Sequence, residues 1–161
     1  MNTQFEQSTC PTDEWYTPAE IINSLGEFDL DPASSPEAFQ LNKSAGIIYT
    51  ANENGLIQPW FGRIWLNPPY SQPLLQEFLK RMAEHNNGIA LTFSKIEAKW
   101  FHNIVLNRAA AIKLLYDRVQ FVRPDGTKGL QPRNASMLIA YGEENVEVLR
   151  VNALKGKFLY L

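Results

Sequence analysis

The sequence has few of the residues that mark several protein classes. Its 161 residues include one cysteine, Cys10, and two histidines, so an internal disulfide is excluded and no metal site with zinc-ligand spacing is predicted. No apolar run of about 18 residues occurs, which argues against a transmembrane helix. Residues 1–10 lack a basic stretch followed by an apolar one, so we expect no signal peptide and a cytoplasmic protein.

The composition is that of a globular chain. Hydrophobic residues make up 45% and charged residues 20% of the sequence, which excludes a disordered or fibrous protein. The length corresponds to one domain of roughly 150 residues. We therefore expect a flexible N-terminal tail over residues 1–12 and a single domain over residues 13–161. The sequence requires no oligomer.

Charge is distributed unevenly along the chain. The 15 basic and 17 acidic residues give a net charge of −2, and this total does not indicate a nucleic-acid-binding protein. The segment from Lys95 to Arg133 nevertheless holds eight basic residues against three acidic ones, a net charge of +5. Such a segment is either a solvated face or a surface that binds a polyanion.

Strand and helix signals alternate along the sequence. Thr17 with Pro18, Ser35 with Pro36, and Ser71 are the predicted starts of three helices, and a further helix is predicted over residues 100–106. Strands are predicted near residues 28–31, 47–49, 63–66, 89–93, 111–116, 119–122, 135–141 and 158–161. The alternation favours a doubly wound α/β fold, with a mostly parallel sheet, an antiparallel C-terminal part, and ligands at the carboxyl ends of strands.

The sharpest functional signal is Asn67-Pro68-Pro69-Tyr70, which follows the strand predicted at residues 63–66. The Asn67 side chain and the Pro68 main chain each offer a carbonyl, and the prolines restrict the backbone at both positions. Two such acceptors favour methyl transfer to a conjugated amino nitrogen, because they stabilise the positive charge that develops there. Tyr70 offers a face for stacking a base, worth about 1 to 3 kcal/mol, which helps to offset extrusion of that base from a duplex.

These residues and the motifs around them resemble the phage and prophage DNA adenine methyltransferases of the Dam type. The resemblance implies a Rossmann-like methyltransferase fold, S-adenosyl-L-methionine as cofactor, the N6 amino group of adenine in double-stranded DNA as acceptor, and the cytoplasm of a bacterial host if the gene is phage-encoded. The shared motifs cover residues 13–142 and are Asp13-Glu14-Trp15-Tyr16-Thr17-Pro18, Phe28-Asp29-Leu30-Asp31-Pro32-Ala33, Asn54-Gly55-Leu56 with Trp60, Trp65-Leu66-Asn67-Pro68-Pro69-Tyr70, Trp100-Phe101 and Asp117-Arg118-Val119-Gln120-Phe121.

The resemblance also implies a set of cofactor-binding residues. Asp29 and Asp31 would lie near the methionine part of the cofactor, although Ser34 and Ser35 stand where a glycine-rich loop is usual. The alternative for the two acids is solvation of a strand end and capping of a helix. The implied cofactor-binding residues are Trp15, Thr17, Pro18, Asp29, Asp31, Pro32 and Asn54.

DNA recognition is expected from small loops. Only residues 32–66 separate Asp31 from Asn67, which leaves no room for an inserted recognition domain. The expected DNA-binding residues are therefore Arg118, Arg123, Lys128 and Arg133 of the basic segment, together with the adjoining Asn134. Trp100 and Phe101 are expected in the core rather than at a base.

Two other functions remain open from the sequence. A methyltransferase that acts on RNA or on a protein glutamine would use the same Asn67 chemistry. A non-catalytic DNA-binding protein with a degenerate methyltransferase fold would agree with the missing glycines after Asp31.

Overall fold

The computed structural model describes residues 15–129 and 132–161. The expected tail over residues 1–12, which includes Cys10, and the motif residues Asp13 and Glu14 therefore lie outside the described residues. Those described form a mixed α/β fold around one sheet of seven strands. None of their helices is long and apolar enough to cross a membrane.

The strands are short, and their order in the sheet differs from their order in the chain. They are β1 (Leu30–Asp31), β2 (Ile47–Ile48), β3 (Ile64–Leu66), β4 (Gly88–Phe93), β5 (Ala111–Leu115), β6 (Ser136–Tyr141) and β7 (Gly156–Tyr160). Across the sheet the order is β2, β1, β3, β4, β6, β5, β7. The first four strands in this order are parallel, and β6 and β7 are antiparallel to their neighbours.

The helices connect and flank these strands. They are α1 (Ala19–Asn23), α2 (Pro36–Asn42), α3 (Leu74–His85) and α4 (Val146–Val151), with a π-helical segment at Phe101–Leu106 and a 3-10 turn at Glu143–Asn145. The predicted cap at Ser35 is confirmed, because its hydroxyl accepts from Ala38 N at 3.1 Å. The caps predicted at Thr17 and Ser71 are wrong, since α1 and α3 follow Pro18 and Pro73 without a side-chain cap bond.

Alternate residues of the central strands pack on opposite faces of the sheet. In β3, Ile64 and Leu66 join the apolar cluster that contains α3 and the π-helical segment. Trp65 points to the other face, where it packs with residues of α1 and with Leu149 of α4. Both faces are therefore covered, which explains the continuous apolar character of the central strands.

The antiparallel C-terminal part predicted for the sheet is confirmed, because β6 and β7 both run antiparallel to β5. The strand predicted over residues 119–122 is wrong, because this segment does not join the sheet. Its residue Val122 instead forms isolated bridges to Tyr16 and to Lys128. Backbone hydrogen bonds of this kind depend on tertiary placement rather than on local sequence.

The strand order places the ends of β1 and β3 side by side. From β1 the chain passes to β2 on one side and then returns to β3 on the other side. Such a reversal opens a crevice beyond the carboxyl ends of the two strands. Asp31 ends β1 and Asn67 directly follows β3, so both residues flank the crevice.

Candidate functional site

A cleft of about 410 Å³ lies at this crevice, within the usual size range of a small-molecule site. Asp31 is its one charged lining residue, and within the described part of the chain no lysine, arginine or histidine lines it. Two of the predicted catalytic and cofactor-binding residues, Pro18 and Asp29, do not line it. Those that do are Trp15, Thr17, Asp31, Pro32, Asn54, Asn67, Pro68 and Tyr70.

The side chain of Asn67 is held in one orientation. Its Nδ2 donates a hydrogen bond to the main-chain oxygen of Trp15 at 2.7 Å. Its Oδ1 lies 3.4 Å from the Tyr70 hydroxyl, which donates a long hydrogen bond to it. The chain leaves the sheet at this point because Pro68 has no N–H to donate to a strand ladder. The Asn67 carboxamide therefore presents its nitrogen to Trp15 and its oxygen to the side of Tyr70.

Tyr70 belongs to a chain of aromatic contacts. Its ring stacks on Phe93, with centroids 4.3 Å apart and planes inclined by 19°. Phe93 contacts Phe121 edge-on, and Phe121 contacts Trp15 in the same way. Burial raises the pKa of the Tyr70 hydroxyl, which therefore remains a neutral donor. Because Phe93 covers one face of the Tyr70 ring, a stacked ligand would use the opposite face.

Asp31 is a buried carboxylate at the wall of the cleft, with 5% of its surface exposed. Its Oδ1 accepts from Ala33 N at 3.1 Å, and its Oδ2 accepts from the Ser44 hydroxyl at 2.5 Å. Burial raises its pKa to about 6, although the hydrogen bonds from Ser44, Ala33 and Ser34 oppose this rise. The carboxylate is thus ionised at neutral pH but is sensitive to mildly acidic conditions.

Asp29 lies apart from Asp31, although alternate positions of a strand would have placed them together. The strand begins only at Leu30, and Asp29 is exposed. Its Oδ2 accepts from Arg63 N at 2.7 Å. This carboxylate therefore supports the turn that leads into β3 and is not positioned to contact a ligand in the cleft.

The loop between β2 and β3 brings Asn54 to the rim of the cleft. Asn54 adopts a φ of +58°, a conformation that asparagine tolerates better than most side chains. Its Oδ1 accepts from Leu56 N at 3.2 Å, so the side chain stabilises its own turn. The next residue, Gly55, packs so tightly that an added Cβ would lie 1.9 Å from the Pro32 carbonyl oxygen. Trp60 Nε1 holds the turn by donating to Gly55 O at 2.7 Å.

A second cavity of about 380 Å³ adjoins the cleft, because Tyr70 lines both. Phe93, Lys95 and Trp100 also line it. Thr92 contributes a buried hydroxyl for which the described residues provide no hydrogen-bond partner. Trp100 is only 7% exposed, which confirms its expected burial. The sequence did not indicate this cavity, because its lining comes from two separate segments.

Within the basic segment, residues 122–128 form a hairpin whose base contacts Tyr16 at the cleft. Val122 pairs with Lys128 on one side and with Tyr16 on the other. The turn between the hairpin strands is closed by a hydrogen bond from Arg123 N to Thr127 O at 2.8 Å. Arg118, Arg123, Lys128 and Arg133 are exposed, and Asn134 is partly buried. The expected DNA-binding side chains are therefore at or near the surface.

Asn42 is a cleft residue that sequence reasoning missed. It is the last residue of α2, and its Nδ2 donates to the main-chain oxygen of Thr17 at 3.1 Å. Asn42 is 5% and Thr17 is 2% exposed. Asn42 Oδ1 and Thr17 Oγ1 are buried and have no hydrogen-bond partner among the described residues. A polar residue at a helix end carries no distinctive sequence signal, because helix ends are commonly polar.

Comparison with known proteins identifies a family whose model matches this chain. The family model described as DNA N-6-adenine-methyltransferase (Dam) matches residues 5–153. The chain is also 36% identical over 159 residues to the DNA N-6-adenine-methyltransferase of Escherichia phage T1, a match that covers 92% of this chain and 62% of that protein. The chain thus spans about three fifths of the length of this relative. No solved structure matches the chain.

Proposed function

From the premise that the chain belongs to the DNA N-6-adenine-methyltransferase (Dam) family, we propose that it transfers a methyl group from S-adenosyl-L-methionine to the N6 amino group of adenine in double-stranded DNA. The observation that carries this proposal is the fixed carboxamide of Asn67 at the cleft. Its bond to Trp15 fixes the amide nitrogen, and the oxygen, which accepts one long hydrogen bond from the Tyr70 hydroxyl, keeps a second lone pair for an incoming amino group.

In this mechanism, Asn67 Oδ1 and the Pro68 carbonyl oxygen accept the two N–H groups of the adenine amino group. These hydrogen bonds would draw the nitrogen lone pair out of conjugation and stabilise the positive charge that forms as the N–C bond is made. The methyl–sulfur bond of the donor would break in the same step, and the nitrogen would then release one proton to solvent. If the Asn67 carboxamide were rotated, its NH₂ would face another NH₂ and neither could accept. The hydrogen bond to the Trp15 carbonyl opposes that rotation.

The cleft fits a methyl donor that carries positive charge. When bound, S-adenosyl-L-methionine would supply an electrophilic methyl group on a sulfonium sulfur. The buried carboxylate of Asp31, without a basic side chain in the described lining, favours a cationic ligand over an anionic one. We assign cofactor contact to Trp15, Thr17, Asp31, Pro32 and Asn54, all of which line the cleft.

The DNA would approach from the side of the basic hairpin. Arg118, Arg123 and Lys128 are exposed and suit phosphate contacts, while Arg133 and Asn134 have the functional groups that read guanine and adenine edges. We assign stacking of the extruded adenine to the face of the Tyr70 ring opposite Phe93. Base stacking of this kind is worth about 1 to 3 kcal/mol.

Transfer of a labelled methyl group to duplex DNA, RNA and protein, measured under the same conditions, tests the proposal. We expect label in duplex DNA and its loss when Asn67 is replaced by alanine. Label in RNA or in protein glutamine instead would assign the same chemistry to a different substrate. Binding of DNA without methyl transfer to any substrate would indicate a non-catalytic DNA-binding protein.

A further inference from the structure

Two unpartnered polar atoms occur together at one wall of the cleft. Asn42 Oδ1 and Thr17 Oγ1 are both buried without a hydrogen-bond partner among the described residues, and both residues line the cleft. The two residues are in direct contact, since Asn42 Nδ2 donates to the Thr17 main-chain oxygen. Buried polar atoms are normally satisfied, so a pair of exceptions at a ligand cleft points to a partner that arrives with the ligand.

The chemistry of the two atoms restricts that partner. A carboxamide oxygen only accepts hydrogen bonds, so the group that satisfies Asn42 Oδ1 must be a donor. The Thr17 hydroxyl can accept as well. Asp31 is linked to the same region, because Ser44, two residues beyond Asn42, donates to its Oδ2 at 2.5 Å. With no cation in the described lining, this end of the cleft suits a cationic donor.

We propose that Asn42 is a further cofactor-binding residue, whose side-chain oxygen accepts a hydrogen bond from the ammonium group of the amino-acid part of S-adenosyl-L-methionine. This inference rests on the proposed function, because it assumes that this cofactor occupies the cleft. Asn42 Nδ2, bound to Thr17 O, keeps the oxygen turned away from that carbonyl. Asn42 thereby joins the end of α2 to Thr17, which also lines the cleft.

Calorimetric titration of the full chain with two ligands tests the proposal. S-adenosylhomocysteine keeps the ammonium group, whereas 5′-methylthioadenosine keeps the nucleoside and the thioether but lacks the amino-acid part. For Asn42→Leu we expect a loss of affinity for S-adenosylhomocysteine of about ten- to a hundredfold, as for a hydrogen bond to a charged group. Affinity for 5′-methylthioadenosine should stay at the parent value, which also shows that the variant is folded.

Two further variants complete the experiment. Asn42→Asp keeps an acceptor oxygen but loses the donor to Thr17 O, so we expect it to bind S-adenosylhomocysteine more tightly than Asn42→Leu does and more weakly than the parent. Asn23→Leu is the matched control, because Asn23 is an exposed helix residue that does not line the cleft. It should bind both ligands as the parent does.

The outcomes separate this inference from the proposed function. Parent-like binding of S-adenosylhomocysteine by Asn42→Leu, or an equal loss for both ligands, would overturn the role of Asn42 and leave the methyl donor in place. Failure of the Asp variant to bind S-adenosylhomocysteine more tightly than Asn42→Leu does would equally overturn it. If the parent protein binds neither ligand, the proposed use of this cofactor fails and the inference fails with it.

Discussion

At the scale of single residues, Asp31 is placed where its charge opposes folding. Its pKa is raised to about 6, mainly by burial, from the ordinary value of 3.8. The folded protein therefore holds this proton more tightly than the unfolded chain does. Its contribution to stability is greatest at low pH and falls as the pH rises from about 4 through 6, by a total of about 3 kcal/mol.

We expect Asp31→Asn to stabilise the protein at pH 8 and to have little effect at pH 4. The asparagine oxygen can still accept from Ala33 N, and the Ser44 hydroxyl can accept from the new amide group. Urea unfolding at the two pH values measures the difference, which should approach about 3 kcal/mol at pH 8. A change of equal size at both pH values would show that the carboxylate is not the cause. If Asp31 binds the cofactor, the same variant should bind S-adenosylhomocysteine more weakly.

The positions of residues that follow from local chemistry were predictable from the sequence, whereas positions that depend on tertiary contacts were not. Asn67, Pro68 and Tyr70 come together because prolines end a strand at the carboxyl edge of a sheet. Asp29 was misplaced because its carboxylate binds Arg63 N, 34 positions along the chain. The spacing of Asp29 and Asp31 in the sequence does not indicate this contact.

At the scale of elements, the loop between β2 and β3 depends on one close backbone approach. An added Cβ at Gly55 would lie 1.9 Å from Pro32 O, so alanine there must displace the loop from the cleft. We expect Gly55→Ala to weaken binding of S-adenosylhomocysteine at least tenfold, roughly the loss of one good contact. Calorimetry measures this directly.

The matched control for that prediction is Gly46→Ala. An added Cβ at Gly46 would meet Asp29 O at 3.6 Å, an ordinary contact. This variant should therefore bind the ligand like the parent. Parent-like binding by the Gly55 variant as well would mean that the loop does not shape the ligand site.

The third prediction concerns DNA binding by the hairpin of the basic segment. Arg123→Ala and Lys128→Ala each remove an exposed positive charge beside the turn. For a phosphate-contacting residue, we expect weaker binding to all duplexes and a slope of log affinity against log salt reduced by about one unit. Fluorescence anisotropy over a series of salt concentrations measures that slope.

Lys157→Ala provides the control for the hairpin, because Lys157 is equally exposed but lies on β7 at the edge of the sheet. It should leave the slope unchanged. If the hairpin variants behave like this control, the basic segment is a solvated face and DNA recognition lies elsewhere.

Most elements were predicted correctly because their apolar residues follow the spacing of a buried strand or of a one-sided helix. The wrong predictions concern residues whose structure depends on surrounding parts of the fold rather than on the local sequence. Thr17 reads locally as a cap, yet α1 starts after Pro18 without one. Residues 119–122 are apolar except for Gln120, yet Val122 pairs with Tyr16 rather than with the sheet. At Val122, a tertiary contact overrides the local preference.

At the scale of the whole molecule, the cleft and the hairpin share a backbone connection. Tyr16 N donates to Val122 O at 3.1 Å, and Val122 N donates to Tyr16 O at 2.9 Å. The neighbouring residue Trp15 accepts from Asn67 and lines the cleft. A ligand that orders Trp15 and Tyr16 should therefore also stabilise the hairpin, and the effect must be reciprocal.

We expect S-adenosylhomocysteine to tighten DNA binding at least about fivefold. Val122→Pro removes the N–H that bonds to Tyr16, so it should reduce this ratio toward one. DNA dissociation constants measured with and without the ligand, for the parent and the variant, give the two ratios. An undiminished ratio in the variant would show that coupling does not pass through this pairing.

The central claim, that Asn67 supports methyl transfer to adenine in DNA, is tested most directly by nucleoside mass spectrometry. Duplex DNA is incubated with S-adenosyl-L-methionine and either the parent or Asn67→Ala, and N6-methyladenine is then quantified. The account predicts N6-methyladenine with the parent and a rate about a hundred- to a thousandfold lower with the variant, while both bind S-adenosylhomocysteine alike. Equal methylation by the two proteins, or none by the parent, would contradict it.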